Sequence, residues 1–110
     1  MNVFDLDLAN HKSKEVKFFS GRPRGEKVRE SIFLGKKEDM VEEVRVKVPT
    51  GTRSIHTSFF LGLFGPSVRK CGSGEKFLEK FKFDCEEIIN KDVDEGIVLA
   101  LKKSNVLKEK

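Results

Sequence analysis

Val44-Arg45-Val46-Lys47-Val48, the turn residues Pro49 to Thr52, and then Thr57-Ser58-Phe59-Phe60-Leu61-Gly62-Leu63-Phe64-Gly65 form the stretch that decides the fold. Three valines alternating with two cations have the period-two pattern of a strand with one buried face. The segment after the turn opens on hydroxyl residues suited to a helix start. It then places Phe59, Phe60, Leu63, Phe64 and Val68 on one broad helical stripe. A strand followed closely by an apolar helix predicts a sheet with that helix buried against it. Pro66 falls inside the helical pattern, and its ring would clash with the carbonyl of Gly62, so a kink or break is expected there.

On the N-terminal side, Phe4, Leu6 and Leu8 alternate with Asp5 and Asp7, and Val16 and Phe18 alternate with Glu15 and Lys17. Residues 3–8 and 14–19 are therefore predicted as strands that pair in a hairpin. Ser20 to Gly25, with two glycines and Pro23, predicts an irregular break. From Glu26 the spacing turns helical through Val28 and Ile32, and Gly35 is placed to end that helix near residue 34.

On the C-terminal side, Gly72 and Gly74 end the central helix and Lys76 to Lys80 forms a short helical turn. Phe81-Lys82-Phe83-Asp84-Cys85 alternates as a strand. Asp92 is placed to cap a last helix near 92–103 on which Val93, Ile97, Ala100 and Leu101 share a face, and Lys108 to Lys110 forms a frayed tail. Strands alternating with helices predict an α/β fold, a single-domain mixed β-sheet over 1–110 with helices packed beside it.

Bulk composition narrows the function. The 110 residues suit one core. All ten aromatic residues are Phe, whose default place is the core, so an aromatic cage is not expected. The net charge of +4 comes from 22 basic and 18 acidic residues mixed along the chain. Nucleic acid is therefore a compatible partner but not a required one. No apolar run approaches the length of a membrane span and no basic leader precedes one, so a cytoplasmic protein without membrane contact is expected. Cys71 and Cys85 read as reduced thiols rather than as a disulfide framework.

Catalytic chemistry finds little support. His11 and His56 are far apart and neither completes a metal-ligand motif, so no metal and no cofactor are expected. A Cys71–His56 dyad has no accompanying signature. Arg22, Arg24, Lys27 and Arg29 form the one locally biased basic cluster. It is a candidate contact for an anion or nucleic acid ahead of a helix, or a plain solvated face. His56-Thr57-Ser58 carries two readings. The hydroxyls cap the helix, or one of them is a phosphoacceptor at an exposed junction, where phosphate would gain from the helix dipole and add charge to an interface.

Gly25-Glu26-Lys27-Val28-Arg29-Glu30 is similar to the Gly-Glu-x-x-Arg helix start of the STAS-like domains, small bacterial and phage relatives of the sulfate-transporter and anti-sigma-factor-antagonist fold. Thr57-Ser58-Phe59-Phe60-Leu61-Gly62-Leu63-Phe64-Gly65 resembles their Ser-Ser-Phe helix, and the order and spacing agree over about residues 18 to 103. The resemblance implies a regulatory, non-enzymatic module that binds a protein partner, of the anti-sigma-factor kinase type in its better-known relatives. It also implies a phosphoacceptor at Thr57 or Ser58. His56 stands where relatives often place an acid, and Leu61-Gly62 where they place an acidic pair; a binding role without phosphorylation fits both departures. The competing readings are a basic nucleic-acid-associated protein and a small phage-type inhibitor of a host protein.

Overall fold

A computed structural model describes residues 2–11 and 18–108, with side chains described for residues 2–11 and 19–102. The elements run β1 (Val3–Asp7), a 3-10 turn (Leu8–His11), β2 (Phe18–Phe19), α1 (Arg22–Ser31), α2 (Leu34–Met40), β3 (Glu43–Lys47), β4 (Ser54–Ile55), α3 (Thr57–Cys71), α4 (Gly74–Lys80), β5 (Phe81–Asp84) and α5 (Glu87–Lys108). The class is α/β, as the alternation predicted.

β3 is the centre of a parallel sheet of order β1-β3-β5. The register puts Phe4, Val44 and Phe81 in one row and Leu6, Val46 and Phe83 in the next. These rows face the helices, and Val44, Val46, Leu6 and Phe81 are buried. The rows between them, Asp5-Arg45-Lys82 and Asp7-Lys47-Asp84, point the other way. Parallel sheets usually have both faces covered by helices. Here charges of both signs line the second face.

Phe59, Phe60, Leu63, Phe64 and Val68 are all fully buried, so the predicted stripe is the core. α3 lies between α1 and α5 and packs against both. Phe64 meets Phe60, Phe83 and Phe81 with ring centroids 5.2, 5.4 and 5.9 Å apart. Phe77 stacks on Phe81 at 4.5 Å.

Several boundaries differ from the sequence reading, each for a physical reason. No hairpin forms among the described residues: β1 pairs with β3, and Phe18–Phe19 pairs in parallel with Ser54–Ile55, so no described strand pair is antiparallel. Residues 14–17 of the proposed second strand lie outside the described residues. α1 begins at Arg22 rather than Glu26, because Pro23 sits in the first turn, where its missing N–H costs nothing. Gly35 does not end α1. The chain turns at Phe33, which adopts φ 54, and α2 follows with Gly35 inside it.

α3 stays helical through Pro66, whose exposed ring faces away from the core. Packing on both flanks outweighs the lost hydrogen bond. α5 starts at Glu87, so Asp92 is not its cap. Its carboxylate accepts the Ile55 backbone N–H at 2.9 Å, tying β4 to α5. Lys108 closes α5 rather than opening a tail, and residues 109 and 110 lie outside the described residues.

Candidate functional site: the paired starts of α1 and α3

Two glycines set the geometry. A Cβ on Gly25 would stand 2.3 Å from the Phe59 carbonyl oxygen, and one on Gly62 would stand 2.3 Å from the Arg22 carbonyl oxygen. The backbones of α1 and α3 therefore touch with no side chain between them. The contacts advance together along both chains, Gly21 with Ser58, Gly25 with Gly62, and Arg29 with Leu63 and Ser67, so the helices run parallel. Their N-termini lie side by side, and the positive ends of both dipoles face the same way.

The hydroxyl candidates sit at that end. His56 is the N-cap of α3 in an extended conformation, and no side chain caps the helix. Its backbone N–H donates to the Phe19 carbonyl at 2.8 Å, which continues the β2–β4 pairing into the helix. Ser58 does not cap α3. Its Oγ accepts the Gly21 N–H at 3.1 Å, joining the loop before α1 to the first turn of α3. His56 and Ser58 are exposed and Thr57 is half-buried.

The basic cluster divides. Arg29 turns inward: its Nη1 donates to the Leu63 carbonyl and to Ser67 Oγ, both at 2.8 Å, and its Nη2 donates to Glu38 Oε1 at 2.9 Å. Ser67 Oγ also donates to that oxygen at 3.0 Å. Glu38 is 2% exposed and Arg29 17%. A guanidinium so committed joins α1, α2 and α3 instead of presenting a free cation.

Removing the guanidinium leaves a buried carboxylate without its cation. Arg29→Met should therefore cost about 3 kcal/mol, at the low end for a broken buried pair because Arg29 keeps some solvent contact. Replacing Glu38 by Met as well should restore much of that loss. Urea unfolding of both variants measures the difference, and equal losses would show that the pair is not coupled.

Arg22 lines a groove between α1 and α3, with Glu26 and Glu30 beside it and Leu61, Pro66 and Arg69 opposite. Arg24 and Lys27 do not line it. Arg24 is half-buried and Lys27 is exposed on α1. The groove offers about 470 Å³.

Arg69 was not singled out by the sequence. Its guanidinium folds back over Gly65, with both terminal nitrogens 3.4 Å from where a Cβ would stand. Nη1 is buried without a hydrogen-bond partner among the described residues. Burial, then the charges of Arg22 and Arg29, hold the Arg69 pKa below its usual value. The one sequence signal was Gly62 and Gly65 within a helical pattern, since interior glycines often mark close approach. Compared with known families, with curated proteins and with solved structures, the chain matches none.

The catalytic candidates do not assemble. His56 and Cys71 occupy opposite ends of the 15-residue α3, about 20 Å apart along its axis. Burial raises the pKa of both thiols, helped by Glu38 at Cys71 and by Asp84 at Cys85, so neither is poised as a thiolate. Both cysteines are free. Among the described residues no group of three or more His, Cys, Asp or Glu is placed to hold a metal ion. No helix of the described residues is long and apolar enough to cross a membrane.

Proposed function

We propose that the chain is a non-enzymatic regulatory module of the STAS-like kind that binds a protein partner through the start of α3, around His56, Thr57 and Ser58. The observation that carries this reading is the exposed Ser58 hydroxyl, whose contact with the Gly21 N–H sits where two parallel helices begin. A phosphoryl group on Ser58 would lie beside two helix N-termini, which favour negative charge. It would also add nearly two charges to a face that a docked partner must desolvate. The same residue can thus tolerate modification in the folded chain and oppose association.

The test uses the partner recovered from a native lysate. Ser58→Glu should keep the circular dichroism spectrum and weaken affinity about tenfold, a change of ~1.4 kcal/mol. A folded Ser58→Glu chain that binds as tightly as wild type would overturn this surface. If nucleic acid is recovered instead, with binding that falls steeply with salt and is lost in Arg22→Ala/Arg24→Ala, the chain is a nucleic-acid-associated protein.

A further inference from the structure

We propose that the groove between α1 and α3 binds a carboxylate carried by the partner protein, gripped between the guanidiniums of Arg22 and Arg69 and flanked by the ring of Phe33. This rests on the reading of the chain as a protein-binding module, and it names the chemistry that the partner brings.

Two guanidiniums of the groove are placed to hold one anion, while Glu26 and Glu30 of the same lining oppose a second. Arg22 and Arg29 are near enough to Arg69 to oppose its charge. Arg29 is answered by Glu38. Neither Arg22 nor Arg69 forms an ion pair among the described residues. Arg69 is also packed against its own helix with Nη1 lacking an acceptor. Crowded like charges and an unmade hydrogen bond both disfavour the empty groove, and one carboxylate between the two forks relieves both.

The surroundings select a protein carboxylate over a string of phosphates. Glu26 and Glu30, one turn apart on α1, line the same groove and would repel a polyanion that ran along it. A single acid can sit between the arginines without meeting both. The groove continues past Arg29 and Glu30 to Phe33 and Lys36. Phe33 is 64% exposed and is the one described non-glycine residue with positive φ. Its backbone is fixed by donation to the Glu30 carbonyl and by acceptance from Lys36 and Lys37. A solvent-facing aromatic beside Arg29, held in a left-handed backbone, matches the aromatic enrichment of interfaces. An acidic residue next to an apolar one in the partner would fill both positions.

Benzoate carries the carboxylate and the ring, benzamide is its neutral counterpart, and inorganic phosphate is the competing anion. Each is titrated into the full chain at constant ionic strength, following the Nε–Hε signals of Arg22 and Arg69 and the Phe33 amide by NMR. Benzoate should move all three saturably, and benzamide and phosphate should not. Arg69→Gln, which removes no bond made in the free protein, should weaken benzoate binding about tenfold, as should Arg22→Gln. Glu30→Gln should tighten it. A benzoate response that persists unchanged in folded Arg69→Gln and Arg22→Gln overturns the proposal. Saturation by phosphate but not by benzoate overturns it too, in favour of a phosphate-bearing ligand. The two surfaces fail separately: a flat benzoate titration removes the groove and leaves the Ser58→Glu result standing, while an inert Ser58→Glu variant leaves the titration standing.

Discussion

Gly25→Ala should unfold the domain or bring it close to unfolding. In an exposed helix the same change would stabilise by up to about 1 kcal/mol, because alanine is the better helix former. At position 25 the added Cβ would lie 2.3 Å from the Phe59 carbonyl oxygen and 2.9 Å from the Leu63 nitrogen. Both are backbone atoms of α3 and cannot rotate away, so the helices must separate. The expected loss is about 4 kcal/mol or more, in the exceptional range for one substitution. Gly35→Ala supplies the control. Its nearest neighbour would be an Arg29 nitrogen at 3.8 Å, and it should be neutral or stabilising by about 0.5–1 kcal/mol. Urea midpoints for the two variants should therefore move in opposite directions, or one should move and the other stay. If Gly25→Ala keeps the wild-type midpoint, the α1–α3 contact is not as close as described.

Phe64→Ala should be the most damaging truncation in the core. Its ring touches those of Phe60, Phe77, Phe81 and Phe83, so it joins α3 to α4 and β5 together. No neighbour can fill the space without leaving its own contacts, and the expected cost is about 3–5 kcal/mol. Domains of this size have ~5–15 kcal/mol in total. Thermal unfolding checks it, and an unchanged midpoint would remove Phe64 from the core.

How far the fold could be read from the chain depended on what each pattern encodes. Alternation at Val44, Val46 and Val48 and at Phe81 and Phe83 tells which residues turn inward, and they do. It does not say which strand lies alongside, which is why Phe18–Phe19 was assigned to a hairpin when its partner is Ser54–Ile55. α2 went unseen because Leu34 to Met40 is short and mostly polar, and Gly35 looked like a stop signal. The site was legible in part. Ser58 stood out as a hydroxyl at a helix start, but its contact with Gly21 spans 37 residues and no local rule gives it. Arg22 and Arg29 looked equivalent as members of one cluster. Their different fates were decided by Glu38 and Arg69, which reach them only through the α1–α2–α3 packing.

The register of the parallel sheet bears on how the chain reaches its fold. Val3 pairs with Glu43, Val44 with Phe81, and Phe18 with Ser54. Each pairing closes a loop of roughly 40 residues, whose entropy is lost before the strand contacts return anything. Among the described residues no strand pairs with its neighbour in the chain, whereas helices need only local contacts and are free to form first. Two of these helices, α1 and α3, meet most closely where Gly25 and Gly62 let the backbones touch. Closing that contact brings β2 and β4 together, and the three-stranded sheet is completed only when β5 arrives.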